Sequence, residues 1–303
     1  SRRFAPHALT RTLDRNPAPA RFGYRHGVRP ACLCHRDARP GCGGHGSVDL
    51  RQALVHSCDV YFYTVGQRMG IDTIAAYGHQ FGLGEETGID LPSERVGIMP
   101  STTWKQKAKN EAWLPGETIS ASIGQGYVTV TPLQMASLIG TVANGGVAYR
   151  PRLVQSIMSR DTGHLQEMPP IEKHRLKAKQ EHLKLIREAL ASVVTEGTAT
   201  RAKSSIVSIA GKTGTAQTAA LRTGPEKDIP KKLRDHAWFV AFAPVEAPKI
   251  AVAVLAENMG HGGSAAGPLA KEVIESFVKL TQHAPAATGH AAAPKAHSGG
   301  SEF

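Results

Sequence analysis

The sequence predicts an α+β fold: helices come first, three consecutive strands then form an antiparallel sheet, and a last helix covers that sheet. Three observations carry this expectation. Residues 181–195 repeat apolar side chains at helical spacing through Leu183, Ile186, Leu190 and Val193-Val194. Three stretches rich in strand formers follow, Ile206–Gln217, His236–Ala243 and Lys249–Glu257. The segment Ala266–Gln282 then returns to helical period, with Leu269, Val273, Ile274, Phe277 and Leu280 on its inward face.

The earlier elements follow from local chemistry. Asp49-Leu50-Arg51-Gln52 reads as an N-cap with a capping-box Gln, opening a helix that runs to about Tyr63. Gly66 to Gly84, with Met69, Ile71, Ile74, Ala75 and Phe81, predicts a short helix stopped at Gly82. Residues 88–110 read as loop, punctuated by Pro92 and Pro100. Thr131-Pro132 starts a further helix, with proline in its first turn, that ends near Asn144-Gly145-Gly146. The chain divides accordingly into an anomalous segment 1–44, a folded domain 45–282, and a tail 283–303 of Ala, Pro, His, Gly and Ser expected to be disordered.

Composition narrows the function classes. The 303 residues, 41% of them apolar, suffice for a large core. No run of 18 apolar residues is present, so no membrane span is expected here. The Arg-rich start lacks the apolar core of a secretory signal, so an anchor for an exported protein is expected outside this chain. The net charge of +11 suggests a nucleic-acid partner, but its distribution argues against one. Residues 1–46 hold nine arginines and only Asp14 and Asp37 as acids, whereas the remainder mixes both signs. The scattered Phe4, Phe22 and Tyr24 form no aromatic–basic face. Cys32, Cys34 and Cys42 fall in the same segment and only Cys58 in the body, which is no disulfide framework. Segment 1–44 resembles a GC-rich gene read out of frame; a disordered basic arm is the alternative.

Three motifs carry chemistry. Gly211-Lys212-Thr213-Gly214-Thr215-Ala216-Gln217 lies in a strand. Gly214 permits close backbone approach, Lys212 supplies a cation, and Thr213 and Thr215 supply hydroxyls for an anionic ligand end. Ser57-Cys58-Asp59 places a hydroxyl and a carboxylate two residues apart, able to share a cleft where a helix ends or kinks. Gly124-Gln125-Gly126 brackets a glutamine ahead of a helix. Each has a plain alternative: a solvated strand edge, a helix-surface serine, and an ordinary loop.

In that order, the three motifs resemble the transpeptidase domain of class B penicillin-binding proteins. The flanks Ser57–Tyr63, Gly70–Gly84, Thr87–Pro92, Trp104–Lys107, Gly124–Met135 and Arg234–Pro244 are similar to its elongation-specific branch, the penicillin-binding protein 2 type. The resemblance spans about His45 to Phe277. It implies a penicillin-binding, serine β-lactamase-like fold, an antiparallel sheet flanked by helices, here expected to be incomplete on its N-terminal side. It further implies a peptidoglycan D,D-transpeptidase that cross-links stem peptides ending in D-Ala-D-Ala through an acyl-serine, binds β-lactams, and works with cell-elongation proteins at the periplasmic face of the inner membrane, with no nucleic acid involved. Ser57, Asp59 and Lys212 are then the candidate catalytic residues, and Thr213, Gly214, Thr215 and Gln125 the candidate substrate-binding residues. Lys212 and Ser57 would relay protons, and the Thr215 N–H would complete an oxyanion hole.

Two departures accompany the resemblance. The family's Ser-x-x-Lys nucleophile precedes the position of Ser57, but the only such spacing in this sequence is Ser276-Phe277-Val278-Lys279, on the last helix. An inactive chain is therefore expected, the alternative being a non-catalytic relative that binds peptidoglycan or a partner. No cofactor is required by the reaction. Penicillin-binding protein 2 members carry a zinc site of two aspartates, a histidine and a cysteine; His45 and Cys58 match half of it, while Asp14 and Asp37 have the wrong spacing.

Overall fold

The computed structural model describes His45, residues 48–218 and residues 229–283. The expectations for segment 1–44, including Cys32, Cys34, Cys42, Asp14 and Asp37, and for the tail beyond 283 lie outside the described residues.

Three helices open the described chain: α1 (Leu50–His56), α2 (Asp59–Met69) and α3 (Ile71–Gln80). The Asp49/Gln52 capping box forms, with Gln52 N–H donating to Asp49 Oδ1 at 2.8 Å and Asp49 N–H to Gln52 Oε1 at 3.3 Å. The single helix expected to reach Tyr63 is instead two. Ser57 adopts a left-handed conformation (φ 54°, ψ 53°), and Cys58 N–H donates back to Ala53 O at 2.9 Å, closing α1 where glycine is the usual residue. Residues 88–110 are likewise not all loop, because Ser101 caps α4 (Thr102–Lys109) through Trp104 N–H. Then come α5 (Pro115–Ala121) and α6 (Pro132–Ala143), whose Thr131/Gln134 capping box and leading proline match the expected helix start.

Two small antiparallel pairs intervene that sequence periodicity did not reveal. Strand β1 (Val147–Tyr149) pairs with β4 (Glu172–Arg175), and β2 (Ser156–Met158) pairs with β3 (Leu165–Glu167). Helix α7 (Gln180–Thr195) leads into the main sheet of β5 (Ala210–Ala216), β6 (His236–Ala243) and β7 (Ile250–Ala256), and α8 (Ala266–His283) covers it. The sheet order is β5-β6-β7, antiparallel throughout, so β5 is an edge.

The alternation along β6 decides the layering. Ala237, Phe239, Ala241 and Ala243 face a core shared with Val193 and Val194 of α7 and with Ala266, Ala270 and Ile274 of α8. Val240 and Phe242 face the opposite side, against Ile139, Val142 and Ala143 of α6. The sheet is thus buried on both faces, and for that reason β6 is apolar nearly without interruption. Helix α1 is fastened to α7 by Arg51, which pairs with Glu196 and donates to Ser192 Oγ at 2.8 Å. That fastening brings the α1–α2 junction beside β5.

Candidate active site

The break between α1 and α2 puts Ser57 on a tight left-handed turn, a conformation that costs a non-glycine residue about 1–3 kcal/mol and recurs at functional sites. The hydroxyl so presented meets β5. Lys212 Nζ lies 2.6 Å from Ser57 Oγ, 3.1 Å from Thr213 O and 3.5 Å from Thr213 Oγ1. All three are acceptors for an ammonium, which can only donate.

The Lys212 ammonium is enclosed by these walls. Burial pulls its pKa from 10.5 down to about 8, against the opposing charge of Asp59, the first residue of α2. A lysine so placed changes protonation near neutral pH, unlike an exposed one, and sits against a serine hydroxyl. The arrangement can move a proton between the two groups.

A third wall comes from the loop after α5. Gly124 and Gly126 take positive φ (78° and 70°), reversing the chain on each side of Gln125. Gln125 Nε2 donates to Thr215 O at 2.7 Å. Behind this loop, Lys105 of α4 is buried and pairs with Glu117 Oε1 at 2.6 Å, with its ammonium 5.9 Å from the Tyr127 ring centre, while Trp104 and Trp113 pack on the same ring. Hydrogen bonding to Lys105 lowers the pKa of Glu117, so the pair stays ionised around neutral pH.

The structure therefore brings Ser57, Lys212, Thr213, Thr215 and Gln125 together, with Asp59 close enough for its charge to bear on Lys212. Gly214 has a more specific role than an open edge would give it. The backbone that approaches it belongs to Gly262, where an added Cβ would stand 2.5 Å from Gly214 O and 2.1 Å from Trp238 O. Two residues were missed in the sequence. Thr198, just after α7, lies 2.9 Å from Thr213 through its hydroxyl, and Gly262 admits the crossing loop. Neither stands in a periodic segment; the Gly197-Thr198 and Gly262-Gly263 spacings were the only local signs.

The metal expectation does not fit the described residues. Cys58 is a buried free thiol packed among Ala53, Tyr61, Val48, Leu50, Phe62 and Val65. His45 is exposed and stacks on His56 at 5.6 Å between ring centres. No group of three or more His, Cys, Asp or Glu side chains suited to a metal ion occurs among the described residues. An apolar surround of this kind favours a packing role for the thiol.

Comparison with known proteins gives the family. Peptidoglycan D,D-transpeptidase MrdA of Acinetobacter baumannii is 39% identical over 245 residues, covering 80% of this chain and 36% of that protein. Its Haemophilus influenzae namesake is 36% identical over 251 residues, covering 80% and 38% respectively. The chain thus spans little more than a third of the length of these two curated relatives. Among solved structures, the complex between penicillin-binding protein PBP2 and MreC from Helicobacter pylori superposes with a TM-score of 0.67 at 34% identity, over 79% of this chain and 42% of that one. Pseudomonas aeruginosa PBP2 in complex with WCK 5153 gives 0.64 at 35% identity, over 77% and 48%. Residues 33–275 match the penicillin binding protein transpeptidase domain, and the chain belongs to that family.

Proposed function

We propose that this chain forms the carboxylate-binding and proton-relay side of a peptidoglycan D,D-transpeptidase cleft. The observation that carries the reading is the 2.6 Å contact between Lys212 Nζ and Ser57 Oγ, which joins the Lys-Thr-Gly strand to the turn between α1 and α2. In this reading Lys212 and Ser57 pass a proton to the leaving amine and take one from the attacking amine, Asp59 biases Lys212 towards its charged form, and Thr213 and Thr215 hold the terminal carboxylate of a D-Ala-D-Ala stem peptide. The carbonyls of Thr213 and Thr215 accept from Lys212 and Gln125. The two-residue period of a strand puts both residues' backbone groups on one edge, which supports the Thr215 N–H as an oxyanion donor and the edge as a dock for an extended peptide.

The covalent step is assigned to a serine in a Ser-x-x-Lys that these residues do not supply in family order. Ser276, which begins the only such spacing, is exposed on α8. The chain alone is therefore read as binding without acylating. β-Lactams are assigned to the same cleft, as mimics of the dipeptide. Periplasmic action beside the inner membrane and contact with cell-elongation proteins are assigned to the intact protein; the relative solved with MreC favours the latter. The division into 1–44, 45–282 and 283–303 is also a proposal, and the coding DNA tests it. A Ser-x-x-Lys in another frame upstream of codon 44 supports an out-of-frame segment, and its absence from both other frames removes that idea.

Fluorescent penicillin tests the assignment of the covalent step. No covalent label is expected on this chain after denaturing electrophoresis. A label surviving denaturation, mapped by peptide mass to any serine, would show that the chain carries its own nucleophile.

A further inference from the structure

The segment joining α7 to β5 touches three walls of the cleft at one point. Thr198 N–H donates to Val55 O of α1 at 3.2 Å, and its hydroxyl lies 2.9 Å from Thr213 Oγ1. An added Cβ on Gly197 would stand 2.5 Å from Val55 O, and one on Gly263 would stand 2.2 Å from Thr198 O. The strap therefore runs in close contact with the helix that presents Ser57, the strand that presents Lys212, and the loop that crosses Gly214.

Proton inventory gives this contact a consequence. The Lys212 ammonium is a donor only, and at 3.5 Å it reaches Thr213 Oγ1 weakly. The stronger neighbour of that hydroxyl is Thr198, and geometry alone allows either oxygen to donate. If Thr213 donates to Thr198, its proton is turned away from any ligand. If Thr198 donates, Thr213 Oγ1 accepts from Thr198 and Lys212 together, and its own proton is left to point elsewhere.

We propose that Thr198 is a positioning residue: its hydroxyl donates to Thr213 Oγ1, fixes the Thr213 side-chain rotamer, and leaves the Thr213 proton directed into the cleft to bind a peptide carboxylate. This rests on the carboxylate-binding reading of Thr213 given above. Thr198 acts through Thr213 and does not itself touch the ligand.

The test uses the full chain with ¹³C-methyl-labelled threonine. Three-bond couplings to the Thr213 γ-methyl report its χ1 without any ligand. One rotamer is expected in the unsubstituted chain and in Thr198→Ser, and averaging in Thr198→Val. Calorimetry with diacetyl-Lys-D-Ala-D-Ala and its C-terminal amide reads the consequence. Thr198→Val should weaken the acid about tenfold, the worth of one hydrogen bond, Thr198→Ser should restore it, and the amide should not respond to either substitution. A single Thr213 rotamer in Thr198→Val, or unchanged affinity for the acid there, overturns the proposal. If the unsubstituted chain binds acid and amide alike, or neither, the carboxylate reading fails, while the couplings still decide whether Thr198 positions Thr213. Thr198→Ala, which deletes the hydroxyl without adding a methyl, replaces Thr198→Val if that variant does not give a cooperative melt.

Discussion

The main sheet and the β2–β3 hairpin contain similar apolar side chains and treat them in opposite ways. In β6, Phe239, Ala241 and Phe242 have no solvent exposure. In the two hairpin strands every residue is exposed, including Ile157 at 53%, Met158 at 68% and Leu165 at 53%. The difference lies in layers: the sheet has α6 on one face and α7 with α8 on the other, whereas the hairpin pairs only with itself. Apolar composition thus does not set burial; a covering element does. The candidate site follows the same division, since Lys212, Thr213 and Thr215 all ride on the buried sheet.

The largest effect that sharpens this contrast is expected at Phe239. Its ring fills the space over Gly211, where a Cβ would meet Phe239 Cζ at 2.6 Å, and its backbone is the register partner of Thr213. Phe239→Ala should therefore destabilise the chain by about 3–5 kcal/mol. Urea unfolding measures it as a lowered midpoint at constant slope. Loss of less than about 1 kcal/mol would mean that the sheet is not the core of the molecule.

The same division governs what the sequence made legible. Helices α6, α7 and α8 and the main strands each bury one face or two, so their apolar residues repeat with a period and the elements could be placed to within a few residues. The buried face of α8, however, is Ala266, Ala270, Ile274 and Val278. Leu269, Val273 and Leu280, expected inward, are exposed, because the small Ala266 and Ala270 let their own row lie closest against the sheet. Strands β1 to β4 are three or four residues long and bury only Ala148 of β1, so they carry no period to read. Helix α4 is polar on most sides and buries chiefly Lys105, a residue whose burial depends on Glu117 twelve positions away. At the site, the motifs identified Ser57, Lys212, Thr213, Thr215 and Gln125 as candidates, because glycines and a lysine inside a strand are unusual. They did not reveal that Ser57 breaks a helix by taking a left-handed turn, nor that Thr198 backs Thr213. The first is a local turn with no glycine to mark it, and the second joins residues fifteen apart, which local spacing does not encode.

An intermediate effect is expected from pH, and it separates the sheet's site from its core. Lys212 has an ordinary pKa of 10.5 when unfolded and about 8 when folded, lowered by burial. Between those values the unfolded chain binds more protons than the folded one, so stability rises as pH rises through this window. Below pH 8 the folded chain holds a buried ammonium at a cost on the order of 3 kcal/mol. The rise should be visible from pH 8 to 10; above that, the burial-raised pKa of Tyr61 opposes it, because the unfolded phenol ionises first. Thermal melts of the chain and of Lys212→Met over pH 7–10 measure the difference. The unsubstituted chain should gain stability relative to the variant, and parallel curves would place the Lys212 ammonium in contact with solvent. Anionic ligands should follow the opposite trend and bind more weakly above pH 8, as the cation is lost.

The smallest effect belongs to the hairpin. Ile157 is opposite Gln166 and exposed, and Met158 is opposite Leu165 with both exposed. Replacing Ile157 by Thr keeps a β-branched strand former and removes little buried area, so stability should change by no more than about 0.5 kcal/mol. Replacing Leu165 by Thr also breaks the cross-strand contact with Met158, worth about 0.2–1 kcal/mol, and should register slightly more. Urea midpoints for the two variants, set beside that of Phe239→Ala, rank the regions directly. A hairpin loss approaching that of Phe239 would show that these side chains are covered in solution by an element outside the described residues. In that case the contrast between the two regions would be one of which partner supplies the cover, since both would then be buried.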